Sequence, residues 1–317
     1  MAAATDFVAA QAVNRRNTLV LLIVLTALAA AFGYLIGWVL EGGTADTLPS
    51  VSAAGLLAAG TMAMVSVGWS ALSLAFGSRM VLAMAEARPI EKADAPQLYN
   101  VVEEMALAAG VTMPKVMVME TDALNAFATG TSTSNAAICV TRGLLATLNR
   151  EELQGVVGHE MGHIANLDTR YMTVVGVTVG LIALVADLTL RGLRWGAYSS
   201  RRSDGKSSGG SALLIIVLLV VAVLAPLAAK AVQMAVSRQR EYLADATSVQ
   251  FTRNPNGLIS ALAKLEAAAK PFPGVSNATQ HLFIVNPVQR VTPGTWALMA
   301  THPDIEARIG RLRNLGG

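Results

Sequence analysis

The chain has 317 residues, 53% of them hydrophobic and 14% charged, with a mean hydropathy of +0.50. An average soluble chain is about 25% charged, so this composition argues against a purely soluble protein. The net charge of +3 comes without a basic block interleaved with aromatics, which leaves nucleic-acid binding without support. The single cysteine, Cys139, has no intrachain disulfide partner and fits a reducing compartment for the polar part. It lies in an apolar stretch and reads as a small buried hydrophobe.

Residues 19–40 (LVLLIVLTALAAAFGYLIGWVL) carry no charge and exceed the roughly 20 apolar residues that a membrane-spanning helix needs. Arg15 and Arg16 precede them, and Ala27 to Ala31 offers a cleavage-like site. The run nonetheless continues through Trp38, too far for a signal peptide, so it reads as a retained anchor. Residues 51–76 are a second uncharged run, rich in Gly, Ala and Ser, which let membrane helices approach closely.

The polar stretch 79–171 reads as an α+β piece. A helix is predicted over 95–109, with Leu98, Val101, Val102, Met105 and Ala109 on one face. Strands are predicted at 115–119 and 136–140, with a short one at 126–129 between them. Two less clean apolar runs follow, 172–190 with Asp187 and 212–236 with Pro226 and Lys230. The last part, 237–317, predicts one helix over 256–270, a Pro-rich loop and a final helix over 303–313.

Arg15 and Arg16 before the first run, only Glu41 and Asp46 between the first two, and Arg79, Arg88 and Lys92 after the second orient the N-terminus and residues 79–170 toward the cytoplasm. The connector at 190–211 has Arg191, Arg194, Arg201, Arg202 and Lys206 against Asp204 alone. That opposes the rule if the third and fourth runs both cross. The hairpin is then either re-entrant or overridden by the first pair.

Chemistry concentrates in residues 149–168, NREELQGVVGHEMGHIANLD. Asn149 and Glu152 have capping-box spacing, and Leu153, Val156 and Val157 follow as an apolar helical face. His159 and His163, four apart, project from one side of that helix and can share one ion at about 2.0–2.1 Å. Glu160 beside them can take a proton from water. This is H-E-x-x-H, the zinc metalloprotease pattern. Two of only four histidines make it, and Gly158 and Gly162, each costing about 1 kcal/mol in a helix, suggest a need for space. A metal-free structural helix is the alternative.

A catalytic zinc takes a third protein ligand. Glu241 in SRQREYLADA is the best candidate, with Asp245 four residues on, able to orient a ligand histidine from behind. Alone, Glu241 reads as an exposed helical carboxylate beside Arg238. Topology favours the ligand. His163 precedes the third apolar run by nine residues, roughly 14 Å at a helical rise, and a returning hairpin brings Glu241 to the same membrane face.

In order along the chain, NAFATG at 125–130, VGHEMGHI at 157–164, SRQREYLADA at 237–246, HLFIVNP at 281–287 and THPDIEARI at 301–309 resemble the HtpX family of bacterial membrane zinc proteases. Those are relatives of the CAAX prenyl endoproteases and of Oma-type proteases. The resemblance implies a mainly α membrane protein with about four membrane-embedded helices and a cytoplasmic gluzincin-like domain. It implies one zinc on His159, His163 and Glu241. It implies that Asn125, Ala126 and Phe127 line the cleft as an edge strand where substrate pairs. His302 and Arg308 match its transition-state pair, while His281 reads as structural. It also implies cleavage of misfolded or damaged membrane proteins at the bacterial inner membrane, with self-cleavage possible.

Two other classes compete on residues alone. A non-catalytic scaffold would not need Glu160. A transporter reading rests on Asp187 and Lys230, two residues near run ends.

Overall fold

The computed structural model describes residues 7–41, 51–178, 238–268, 284 and 303–315. Two long helices open it, α1 (Phe7–Leu40) and α2 (Ala53–Met84). At 34 and 32 residues each is longer than a bilayer core requires, and both are apolar enough to cross a membrane. The chain divides into two compact units. One comprises Met1–Asn17, Leu74–Val177 and Val232–Gly317, the other Thr18–Ser73 and Thr178–Ala231. Residues 18–40 of α1 and 53–73 of α2 belong to the second unit, and residues 7–17 and 74–84 to the first.

Within the second unit α1 and α2 pack antiparallel. Thr26 meets Ser66 at 3.1 Å, and a Cβ on Gly33 would lie 2.5 Å from the Ala58 carbonyl oxygen. That close approach is what small residues permit. At the connector, Ser52 and the Ala54 N–H both donate to Glu41 Oε2.

The first unit is built on a four-stranded sheet of β1 (Arg88–Pro89), β2 (Lys115–Met119), β3 (Ala126–Thr129) and β4 (Ala137–Thr141), in the order β1-β2-β4-β3. β2 and β4 pair in parallel with Lys115 opposite Ala137; β3 pairs antiparallel to β4 with Ala126 opposite Val140. Their side chains are almost all buried, which is why the sequence shows apolar runs and not alternation. β3 is an edge.

Helix α3 (Pro96–Ala109) starts on a proline at its first turn, where the missing N–H is harmless. Its core face is Leu98, Val101, Val102, Met105 and Ala106. Ala109 is partly buried against the same core, and Ala106 adds to the expected face. A short α4 (Arg142–Thr147) leads to α5 (Arg150–Ala165). A further helix, α6, begins at 168 and is described to residue 178. Then come α7 (Arg238–Thr252), α8 (Pro255–Ala267) and α9 (Ile305–Arg313). Beyond 178, the third apolar run lies outside the described residues, as does all of 212–236.

Helix α5 sits at the centre, packed on α3, α7, α8 and β3. Asn149 caps it: its side chain accepts the Glu152 N–H at 3.0 Å, while Glu152 Oε2 accepts the Asn149 N–H at 2.8 Å. Glu152 is buried, receiving Lys264 Nζ at 2.7 Å and Ser260 Oγ at 2.6 Å from α8. The glycines of α5 are contact points. A Cβ on Gly155 would lie 2.5 Å from the Leu258 nitrogen, and one on Gly158 would lie 2.9 Å from Ser248 Oγ. The space at Gly155 admits α8, and that at Gly158 admits α7, the helix that carries Glu241.

Candidate metal centre

Four residues apart on α5, the His159 and His163 rings meet edge to face, centroids 4.8 Å apart. Glu241, in the first turn of α7, faces both. Its Oε2 is 3.5 Å from His159 Nε2 and its Oε1 3.6 Å from His163 Nε2. The three side chains are buried, and their ligand atoms lie within 4.8 Å of one another. Far from being an exposed partner of Arg238, Glu241 is aimed inward.

Each imidazole is held from behind by a carboxylate. His159 Nδ1 lies 2.9 Å from Asp245 Oδ1, and His163 Nδ1 lies 3.0 Å from Asp168 Oδ2. In the neutral ring, donation from Nδ1–H puts the lone pair on Nε2, the tautomer a metal ligand needs. Burial and the Arg308 guanidinium work against a proton charge on His159, but Asp245 and Glu241 outweigh them and push its pKa up to about 9. His163 is raised against its burial by Asp168 and Glu241.

Arg308, on α9, is fully buried and is not a solvated helical charge. Nε reaches Asp245 Oδ2 at 2.9 Å and Nη2 reaches Oδ1 at 2.6 Å. Nη1 is 3.7 Å from Glu241 Oε2. Nη2 also lies 3.3 Å from His159 Nδ1, because both groups donate to the same Asp245 oxygen. Burial opposes the charge on Asp245, yet Arg308 and His159 keep its pKa below the usual carboxylate value. With its guanidinium committed to Asp245, Arg308 supports the cluster from behind.

Glu160 is buried between α5 and the sheet, accepting a hydrogen bond from the Ala128 N–H of β3. Burial, reinforced by the Glu241 carboxylate, raises its pKa against the pull of the two histidines. Ala126 and Phe127 are buried on β3, and Asn125 is buried immediately before it. Asn125 Oδ1 accepts the Ala126 N–H at 3.0 Å, and the outward Ala126 carbonyl accepts the Ile284 N–H at 3.0 Å. At this position the edge accepts one backbone hydrogen bond from another segment of the chain. Cys139 is buried, and burial, then Glu160, pushes its thiol pKa up. His302, His281, Asp187 and Lys230 lie outside the described residues.

The residues fit a divalent ion with nitrogen and oxygen preference. Ligand atoms around a tetrahedral zinc at 2.0–2.1 Å sit roughly 3.4 Å apart, close to the two Glu241–histidine separations above. Neutral imidazoles backed by carboxylates are the usual outer arrangement.

A model of peptidase family M48 matches residues 92–315. The chain belongs to peptidase family M48. It is 43% identical over 305 residues to a protease HtpX homolog of Thermoanaerobacter pseudethanolicus, covering 96% of each chain. It is 41% identical over 302 residues to one from Streptococcus agalactiae, covering 95% of this chain and 97% of that one. The crystal structure of S. mikatae Ste24p aligns at TM-score 0.49 and 19% identity, over 80% of this chain and 57% of that chain. The M48 assignment makes this chain a metalloprotease, a peptide-bond hydrolase, and its two apolar helices make it a membrane one.

Sequence reasoning missed one residue of this M48 centre, Asp168. It ends the segment that drew attention but lies five residues past His163, off the helical register. Leu167, at φ 58°, turns the backbone through the left-handed region, a conformation that costs a non-glycine residue about 1–2 kcal/mol. That turn brings Asp168 back onto His163. A non-glycine residue in this conformation leaves no pattern in the sequence.

Proposed function

We propose that the chain is a zinc-dependent endopeptidase of the bacterial inner membrane that cleaves misfolded or damaged membrane proteins on the cytoplasmic side. The observation carrying the metal reading is the convergence of His159, His163 and Glu241, with Glu160 buried beside them. In this reading residues 1–78 hold two membrane helices, 79–171 and 237–317 form a gluzincin-like domain, and 172–236 is a hydrophobic hairpin that makes about four embedded helices. The charge pattern along the chain supports the cytoplasmic orientation, and the HtpX-like motifs support the quality-control role and self-cleavage.

His159, His163 and Glu241 would hold one zinc. Bound there, it supplies a Lewis acid that polarises a peptide carbonyl and acidifies water. Glu160 takes a proton onto its carboxylate and later gives it to the leaving amine; its burial-raised pKa suits both steps near neutral pH. The backbone of β3 aligns the substrate, with Asn125, Ala126 and Phe127 along the cleft. His302 stabilises the oxyanion. Arg308 acts through Asp245, fixing the His159 ring.

Purified full-length protein in detergent with zinc, tested on an unfolded polypeptide, decides this. Wild type cleaves, while Glu160→Gln binds zinc with equal stoichiometry and does not. Equal cleavage by both proteins would refute the mechanism. Zinc binding without cleavage by the wild type would point to a scaffold.

A further inference from the structure

The first long helix reaches into the metal centre. Asn14 lies on α1, in the stretch ahead of its apolar run, and is only 4% exposed. Its Nδ2 donates to Asp168 Oδ1 at 2.7 Å and to the Asn166 carbonyl at 3.0 Å. The other oxygen of that carboxylate, Oδ2, holds His163 Nδ1 at 3.0 Å. A continuous path thus runs from Asn14 through Asp168 to His163, all within one compact unit.

The chemistry explains why a second partner is needed. A carboxylate fixed by one oxygen alone can still pivot about that bond, and the imidazole pivots with it. A donor on the other oxygen sets its plane. On His159 the corresponding carboxylate, Asp245, is set by the two-pronged Arg308. On His163 the same task falls to Asn14, with Arg240 Nε more distant at 3.5 Å. Asn14 has a further anchor: the Asn166 carbonyl stands at the end of α5, where no intrahelical N–H remains to meet it. The amide therefore fixes Asp168 relative to the helix that carries both histidines.

We infer that Asn14 is a positioning residue of the metal centre, acting through Asp168 on His163. The segment before the first apolar run is then part of the metal site as well as the lead-in to an anchor. This rests on the reading that His163 is a metal ligand, and the test separates the two.

The test measures zinc affinity of full-length protein in detergent by chelator competition, with cobalt(II) absorption as a report on ligand geometry and a melt of the metal-free protein as a control for folding. Asn14→Leu and Asp168→Asn each weaken zinc binding about tenfold or more, the usual effect of removing such an outer partner. They also alter the cobalt spectrum and lower kcat with KM unchanged. Gln11→Leu, which removes a 2.7 Å bond from the same helix to the Ala165 carbonyl without touching Asp168, leaves zinc affinity unchanged. The double variant Asn14→Leu/Asp168→Asn binds no more weakly than Asp168→Asn alone. If Asn14→Leu does not fold, Asn14→Ser, whose shorter side chain withdraws the donor from Asp168, decides on the same readouts.

An affinity for Asn14→Leu or Asn14→Ser equal to that of Gln11→Leu overturns the inference, as does full additivity with Asp168→Asn. Failure of the wild-type chain to bind zinc overturns the metal reading itself, and the inference with it. Normal wild-type binding with unaffected variants removes the inference alone.

Discussion

Arg308 and Asp245 form a buried, two-pronged ion pair directly behind His159, with separations of 2.9 and 2.6 Å. Removing one member strands the other in the interior, which costs about 3–5 kcal/mol. Arg308→Leu should therefore lower the stability of the metal-free protein by that order and weaken zinc binding. Arg308→Lys keeps the charge but loses one prong; it should fold and still bind zinc less tightly. Thermal melts and chelator competition measure both. Unchanged zinc affinity in a folded Arg308→Lys protein would return Arg308 to a role outside the His159 support.

Glu241→Gln replaces an anionic ligand by a neutral one of the same shape. Zinc affinity should fall at least tenfold, while the metal-free protein folds but melts below the wild-type temperature, because Arg308 and the two histidines lose a buried counter-charge. Isothermal titration with zinc measures the first and a metal-free melt the second. Wild-type affinity in this variant would remove Glu241 from the site.

Glu152 couples stability to pH. Burial opposes its charge, but Lys264, Ser260 and the Asn149 N–H more than compensate and hold its pKa below that of an ordinary glutamate. A depressed carboxylate pKa stabilises the fold fully above the unfolded value and loses that contribution as pH falls through the folded one. Glu152→Gln should thus be less stable than wild type at pH 7. The gap should close on acidification from about pH 5 to about pH 3. Melts of metal-free protein across that range measure it; parallel pH profiles would contradict the assignment.

Gly155 and Gly310 should respond to alanine with opposite signs. Both lie in helices, where alanine gains about 1 kcal/mol over glycine. A Cβ on Gly155 would lie 2.5 Å from the Leu258 nitrogen, whereas one on Gly310 meets nothing within 4 Å. Overpacking costs about 1–3 kcal/mol, and backbone cannot swing aside. Gly155→Ala should lower the melting temperature and Gly310→Ala should raise or preserve it. A stabilised Gly155→Ala protein would mean that α5 and α8 are not in close contact.

Much of the frame was legible because it rests on local rules. The uncharged run after Arg16 and the capping box of Asn149 and Glu152 are written in adjacent residues. So are the four-residue spacing of His159 and His163 and the buried strands flanking the Ala126 segment. The core face of α3 is legible from its periodicity, with Ala106 buried in addition because the facing residues widen the stripe. In the sequence Gly158 and Gly162 suggest a need for space, but what fills it is α7, a partner 80 or more residues distant in the chain.

What the sequence by itself determined is the local chemistry: an H-E-x-x-H helix, a carboxylate at Glu241 with Asp245 one turn on, and apolar runs long enough for a membrane. Helical periodicity and hydropathy act over a few residues, so they can be read in one dimension. Only the tertiary structure decided which groups complete the cluster. Arg308 lies behind Asp245, Asp168 is turned onto His163 by the left-handed backbone at Leu167, and Asn14 reaches Asp168 across more than 150 residues of chain. Those contacts depend on how α1, α7 and α9 pack around α5, where burial makes each unpaired charge costly and each partner specific.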